Sequence, residues 1–310
     1  MGSKIDDSQL MGMVAELFPA LDRQKHKGEA GRVGVIGGSE VYTGAPFFSA
    51  ITTMRVGCDQ THVFCAKDAA IPIKSYSPDL IVHPTLDGKN AEKDVSELYE
   101  RLNVLIVGPG LGRTDSTMQI TERLIGKAKE KELPIVVDAD GLWLINQKPD
   151  VIKGYSKAIL TPNVMEAKRL WKAMEFPEDS WTPNGENVKK LSQAMGNVAI
   201  VVKGSTDTIS DGINSLESGA EFGLKRCGGQ GDIMTGALGT FLIWANQAKK
   251  DGKNQLIQAL GPLCCAAYAA SILTRRCSKL AFEDLGRSMI ASDMLAKIPA
   301  VVKELQNCKK

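Results

Sequence analysis

The segment "CGGQGDIMTG" at residues 227–236 sets one carboxylate, Asp232, among glycines at the mouth of an apolar helical pattern. Glycine there costs backbone entropy and contributes no packing, so a partner must come close to the main chain. Unpaired amides at a helix N-terminus, with the helix dipole behind them, make an anion site. Gly229 and Gly231 let phosphate oxygens reach that backbone. Asp232 can serve the first turn as a cap, but capping does not account for the glycines before it. A carboxylate beside a phosphate cradle can orient an acceptor hydroxyl and take its proton, and phosphoryl transfer asks mainly for such positioning.

A second constellation is "LTPNVMEAKRL" (160–170). Thr161 suits a helix cap and Pro162 the first helical position, which puts Asn163 and Glu166 three apart on one face. An amide and a carboxylate so placed can hold hydrated Mg²⁺ or steer phosphates; a solvated helix start fits the same spacing. "KGSTD" (203–207) ends an apolar run with a cation and small polar groups that suit a nucleotide phosphate. "VVDADGLWLI" places Asp138 and Asp140 at a strand end, where Asp140 is as well suited to capping a helix as to binding. "YTGAP" (42–46) presents Tyr42 and backbone amides, or simply turns the chain into a helix. Trp143, Phe47 and Phe48 read as core. "GPGLGR" (108–113) and "VIGGS" both lack the third glycine of the dinucleotide fingerprint, and no G-x-x-x-x-G-K-[ST] occurs. Each of these glycine loops alone reads as a tight strand-to-helix turn.

Five short apolar runs position these groups: 32–39, 103–112, 134–141, 157–163 and 198–207, each breaking into Gly, Asp, Thr or Lys. Runs apolar throughout suit strands buried on both faces of a parallel sheet. Helical patterns lie between them, at 115–131 and 163–174 for example, so the alternation predicts a layered α/β fold. Residues 206–224 switch to "DG" with short polar–apolar alternation, an antiparallel hairpin at the sheet edge. From Gly229 onward the chain is helical, with Ile233, Met234, Ala237, Leu238, Phe241 and Leu242 on one face. Without a linker or repeat, residues 1–310 read as one domain with a mobile N-terminal helix and C-terminal tail. Ligands of open parallel sheets bind beyond the carboxyl ends of the strands, so the five breaks converge on one site.

Composition narrows the partners. A net charge of +2 on 310 residues, with scattered Lys and Arg, disfavours nucleic acid or an acidic membrane. Seven cysteines without a C-x-x-C pair, and only three histidines, point to reduced, buried thiols in a cytoplasm-like compartment. The N-terminus lacks the apolar core of a signal peptide, and Asp6 stands where a myristoylation signal prefers Ser or Thr. The apolar stretch 256–273 is broken by Gly261-Pro262 and reads as a buried helix. A mitochondrial form and an assembly of identical copies are left open.

Taken together and in order, "KGEAGRVGVIGGSEVYTGAPFFSA", "GPGLGR", "VVDADGLWLI", "LTPNVMEAKRL", "VVKGSTD" and "RCGGQGDIMTG" resemble the ribokinase-like superfamily and, within it, the ATP-dependent NAD(P)H-hydrate dehydratases, in their eukaryotic form. The resemblance runs from about Gly28 to the C-terminal helices. It implies a three-layer α/β/α fold with a largely parallel central sheet and an antiparallel edge. It also implies ATP-dependent repair of the S-epimer of NADH or NADPH hydrated at C6, with ADP and phosphate released and Mg²⁺ as cofactor. Catalysis then falls on Asp232, Gly229 and Gly231. Binding of the hydrate falls on Gly110, Gly112, Asn163, Val164, Met165, Glu166, Ala167, Lys168, Arg169 and Asp232. ATP binding falls on Lys203, Gly204, Ser205, Thr206 and Asp207, and on Phe222, Gly223, Leu224, Lys225, Arg226, Cys227, Gly228, Gly229, Gln230 and Gly231. Asn163 and Glu166 would hold the metal through water. Two competing readings are a kinase of a vitamin-precursor alcohol, of the hydroxymethylpyrimidine or hydroxyethylthiazole type, and a catalytically silent nucleotide-binding protein.

Overall fold

Seven short strands pair in parallel: β1 Arg32–Ile36, β2 Gln60–Cys65, β3 Ile81–Pro84, β4 Val104–Val107, β5 Ile135–Val137, β6 Ala158–Leu160 and β7 Ala199–Val202. β8 Asp207–Ser210 and β9 Ser215–Ser218 extend the sheet as an antiparallel edge. The order is β3-β2-β1-β4-β5-β6-β7-β8-β9, so the chain reverses its winding between β1 and β4. This computed structural model describes residues 6–24 and 26–308; the Met1-Gly2 start lies outside the described residues.

Side chains alternate along each strand and so feed two cores. Val104 and Ile106 of β4 enter one, Leu105 and Val107 the other. The first core is covered by α1 Asp7–Leu17, α2 Gly44–Val56, α3 Lys67–Tyr76, α9 Gln230–Lys250, α10 Gln255–Leu285 and α11 Ala291–Gln306. The second is covered by α4 Ala91–Ser96, α5 Asp115–Glu130, α6 Ala139–Gln147, α7 Val164–Ala173 and α8 Gly185–Ala194. The result is the three-layer α/β/α arrangement with a mostly parallel sheet and an antiparallel edge. The five expected runs became β1, β4, β5, β6 and β7, and the expected hairpin became β8 and β9.

Three features differ from the sequence reading or refine it. β2 and β3 were not foreseen, because "QTHVFC" and "IVHP" mix polar and apolar residues without a clean period. The N-terminal helix is docked rather than loose: Met13 and Val14 are fully buried, and Phe18 meets the Phe241 ring edge-on at 5.5 Å. The C-terminal segment is likewise a packed helix, with Val301 and Leu305 buried. α10 is long and apolar enough to cross a membrane by length and composition alone; it breaks at Gly261 (φ 77°), and Cys264–Leu273 of its second half is buried inside the molecule.

Candidate active site

A cavity of about 860 Å³ opens where β5, β6 and β7 end and α9 begins. Asp138, Ala139, Glu166, Lys203, Gly231 and Asp232 are among its walls. A larger depression, about 1220 Å³, lies at the opposite ends of the strands, around Asn103, Pro134 and Lys157. Three of its five lysines are paired, Lys131 with Glu100 at 2.7 Å, Lys157 with Glu132 at 3.4 Å and Lys253 with Asp251 at 3.6 Å. Size alone therefore does not mark the site; the convergence of free amides and buried charge does.

The start of α9 is an open cradle. Gly229 takes φ 93° at the cap position, a left-handed conformation that suits glycine, and a Cβ there would come within 2.7 Å of the Ala291 Cβ. The first helical bond runs from the Ile233 amide to the Gly229 carbonyl at 3.0 Å. The amides of Gln230, Gly231 and Asp232 have no acceptor among the described residues, so three donors with the helix dipole behind them remain for a ligand.

Under this cradle lies a buried ion pair. The Lys203 ammonium donates to Asp138 Oδ1 at 2.7 Å; the Asp138 side chain is 4% exposed and that of Lys203 22%. The Thr235 hydroxyl sits 2.6 Å from the Gly231 carbonyl and 3.2 Å from Asp138 Oδ2. Ala139, next along the chain, holds φ 47°, a left-handed conformation costly for a residue with a Cβ. Gly231 matters for a different reason: a Cβ on it would lie 3.3 Å from Lys203 Nζ. Burial pushes the Asp232 carboxyl up to about 7, the charge of Asp138 adds to that, and Lys203 opposes it. Burial works against the Lys203 ammonium, but Asp138 outweighs it and the net shift is upward, so the lysine stays charged.

The walls are braced separately. Asn163 caps α7 in a reciprocal box: its Oδ1 accepts from the Met165 and Glu166 amides at 2.9 Å each, and Glu166 Oε2 accepts from the Asn163 amide at 2.8 Å. The cap is thus Asn163 rather than Thr161, whose hydroxyl instead donates to the Val137 carbonyl, and Pro162 precedes the cap. Asp207 is gripped by Arg275 through two bonds of 2.9 and 3.1 Å and by Ser271 at 2.6 Å. Arg275 also donates to the carbonyls of Gly204 and Ser205, fixing the turn after β7. The Arg226 guanidinium lies 4.2 Å from the centre of the Phe222 ring and forms a flat wall.

Of the residues foreseen, Asn163, Val164, Met165, Glu166, Arg169, Lys203, Gly204, Ser205, Asp207, Phe222, Arg226 and the run from Cys227 to Asp232 line the cavity. Others do not. Ala167 is fully buried in the second core, and Lys168 points to Glu178 at 3.4 Å, because one helix turn cannot direct every side chain to the same side. Thr206 lies outside the lining; Asp207 reaches it, but its carboxylate is consumed by Arg275 and Ser271. Gly223 packs against Ser278, Leu224 is 81% exposed and Lys225 binds the Arg287 carbonyl. The Asn163 oxygen, committed to two amides, is a poor metal ligand.

Gly110 and Gly112 sit in a neighbouring arch rather than in the main cavity. Gly110 packs on Tyr42, which is 57% exposed, and the Gly112 amide donates to Asp140 Oδ2 at 2.9 Å. Asp140 also pairs with Arg113 at 2.6 Å, so it braces the loop instead of capping a helix, and Arg113 covers the half-buried Trp143 ring at 4.7 Å. Phe48 is half-buried beside Gly229, and Phe47 packs on Tyr76. Sequence reasoning left the role of Asp138 open and missed Thr235 and Arg275; only the charged pair in "DAD" at a strand end signalled the first. The helical residues Thr235 and Arg275 carried no local signal.

Residues 33–300 match the family model described as NAD(P)H-hydrate dehydratase. The chain is 46% identical over 301 residues to the ATP-dependent (S)-NAD(P)H-hydrate dehydratase of Rattus norvegicus, covering 97% of this chain and 86% of that protein. A hypothetical protein from Streptococcus mutans superposes with a TM-score of 0.78 at 19% identity, over 98% of this chain and 100% of that one. An ADP/ATP-dependent NAD(P)H-hydrate dehydratase from Bacillus subtilis, co-crystallised with ATP and Mg²⁺, gives 0.71 at 22% identity, over 94% and 96% of the two chains. At such identities the two structures speak to a shared fold.

Proposed function

This chain belongs to the NAD(P)H-hydrate dehydratase family, and on that premise we propose that it uses ATP to dehydrate the S-form of hydrated NADH or NADPH at the cavity around Asp232. The observation that carries this assignment of residues is Asp232 standing beside three free amides and the Lys203 ammonium.

The chemistry follows from these groups. Asp232 takes the proton of the C6 hydroxyl as that oxygen attacks the γ-phosphorus, and the bond to ADP breaks. A carboxylate titrating at about 7 accepts this proton near neutral pH. The Gln230, Gly231 and Asp232 amides and Lys203 stabilise charge on the transferred group. Phosphate is a better leaving group than hydroxide. The ring nitrogen's lone pair expels it, the C6–O bond breaks, and loss of a proton from C5 restores the reduced ring. Water has then left as hydroxyl oxygen on phosphate and as protons.

Magnesium fits the site when carried on the nucleotide. Glu166 lines the cavity and spends only Oε2 on its cap, so it would hold the ion through water, and the ion would neutralise phosphate charge. All seven cysteines are free thiols, five of them buried, which supports a reducing, cytoplasm-like compartment.

The test mixes protein, Mg-ATP and hydrated NADH and follows NADH absorbance. Absorbance returns only with ATP and intact Asp232, with one phosphate released per NADH. A phosphorylated organic product that accumulates without NADH would replace this reading with that of a small-alcohol kinase.

A further inference from the structure

Lys203 shares one cavity with two carboxylates: Asp138, bonded to it at 2.7 Å, and Asp232 on the first turn of α9. A lysine free of other partners would pair with the nearest carboxylate of the opposite wall. Paired to Asp232, it would hold that group ionised but weakly basic, and it would turn away from an incoming phosphoryl group. Asp138 prevents this by geometry. It is 3% exposed, its Oδ1 is committed to the lysine, and its Oδ2 lies against the Thr235 hydroxyl at the base of α9. The chain holds a left-handed, non-glycine Ala139 immediately after it, and places glycine at 231, where any side chain would press on the ammonium. Such a conformational cost beside a buried charge is typical of a functional constraint.

We propose that Asp138 is a positioning residue that holds the Lys203 ammonium off Asp232, so that the lysine meets the transferred phosphoryl group while Asp232 stays basic enough to take the acceptor's proton. The other charged groups lining the same cavity are Glu166 and Arg169 from α7, Arg226 from the segment before α9, and the Asp207–Arg275 pair, whose charges are spent on each other. None of them is bonded to Lys203. This role rests on the reaction proposed above, but its electrostatic core can be read in the ligand-free protein. Removing the charge of Asp138 takes away a repulsive neighbour and frees Lys203 to approach Asp232, so both consequences lower the carboxyl's titration point. Removing the charge of Lys203 raises it.

The experiment labels aspartate carboxyls with ¹³C, assigns Asp232 by its loss in Asp232→Asn, and titrates the ligand-free protein as wild type, Asp138→Asn and Lys203→Gln. The pH dependence of kcat is measured in parallel. Asp138→Asn keeps shape and hydrogen-bonding capacity, so it should fold; Lys203→Gln supplies the opposite sign independently. The expected result is an Asp232 midpoint lower by about one pH unit in Asp138→Asn and higher by a similar amount in Lys203→Gln. The acid limb of kcat should move with it, kcat at its plateau should fall roughly tenfold in Asp138→Asn, and KM for ATP should stay within about twofold. An Asp232 midpoint that stays put in Asp138→Asn while kcat falls would overturn the proposal and leave Asp138 a structural pair. Midpoints that move as expected in a protein that returns no NADH would keep the electrostatic role and reject the reaction.

Discussion

Two buried ion pairs border the same cavity, and they are built differently. In Asp207–Arg275 the side chains are 8% and 6% exposed, and the guanidinium spends its five N–H groups on Asp207 and the carbonyls of Gly204, Ser205 and Ala220. In Asp138–Lys203 the lysine is 22% exposed and spends one of three protons. A saturated cation can only hold the fold together. An unsaturated one, with a cavity before it, has capacity left for a ligand. Burial by itself does not separate a structural pair from a functional one; the donor count does.

The largest effects should fall on opposite properties. Arg275→Met leaves the Asp207 carboxylate buried without its cation, and should lower unfolding free energy by about 3–5 kcal/mol. Lys203→Met should cost roughly 10²–10³-fold in kcat, as removal of a charge-stabilising donor does, with a smaller loss of stability because water can reach its partner through the cavity. Urea unfolding and steady-state kinetics on both variants decide it. If Arg275→Met keeps its unfolding midpoint and loses turnover, the assignment of the two pairs must be exchanged.

Asp232 offers the next test, because its site works against its own charge. Burial first, and Asp138 second, raise its carboxyl from an ordinary 3.8 to about 7. The native state thus favours the protonated form. That favourable contribution is complete below the unfolded value and is lost as pH rises through about 7. Asp232→Asn does not titrate, so its stability relative to wild type should climb between pH 4 and 7 and level off above. Thermal unfolding at pH 5 and pH 8 should show the larger gain at pH 8, in a variant that has lost turnover. An equal difference at both pH values would mean that the folded site places no strain on this carboxylate.

The legibility of these regions in the sequence follows the range of the interactions. β4 and β7, "VLIV" and "AIVV", are buried on both faces and announce themselves as apolar runs. β2 and β3 at the far edge are partly exposed and mixed, so their pattern is blurred. Local chemistry was equally readable: the glycines before Asp232 and the Asn163–Glu166 spacing both mark real features. The spacing of the second pair, however, serves a capping box, whose geometry is the same as that of a two-ligand face. Unreadable were contacts between distant segments, such as Arg275 reaching 68 residues back to Asp207, or Lys203 reaching 65 back to Asp138. Those depend on strand order, which no local motif contains.

The smallest expected effect sharpens the contrast most, because it should leave the fold untouched. Gly231 lies in the first turn of α9 with no positive φ, so a Cβ there meets no backbone conflict. Alanine is the better helix former by up to about 1 kcal/mol, less near an end. The nearest atoms to that Cβ are Lys203 Nζ at 3.3 Å and Asp138 Oδ2 at 3.6 Å, the working ends of the unsaturated pair. Gly231→Ala should therefore keep or slightly raise the melting temperature while kcat falls roughly tenfold, since the ammonium must shift by a few tenths of an ångström from where the phosphoryl group needs it. Kinetics at saturating ATP alongside thermal unfolding would settle this. Unchanged kcat would show that the lysine tolerates displacement, and that the spare protons of Lys203 are not what the cavity uses.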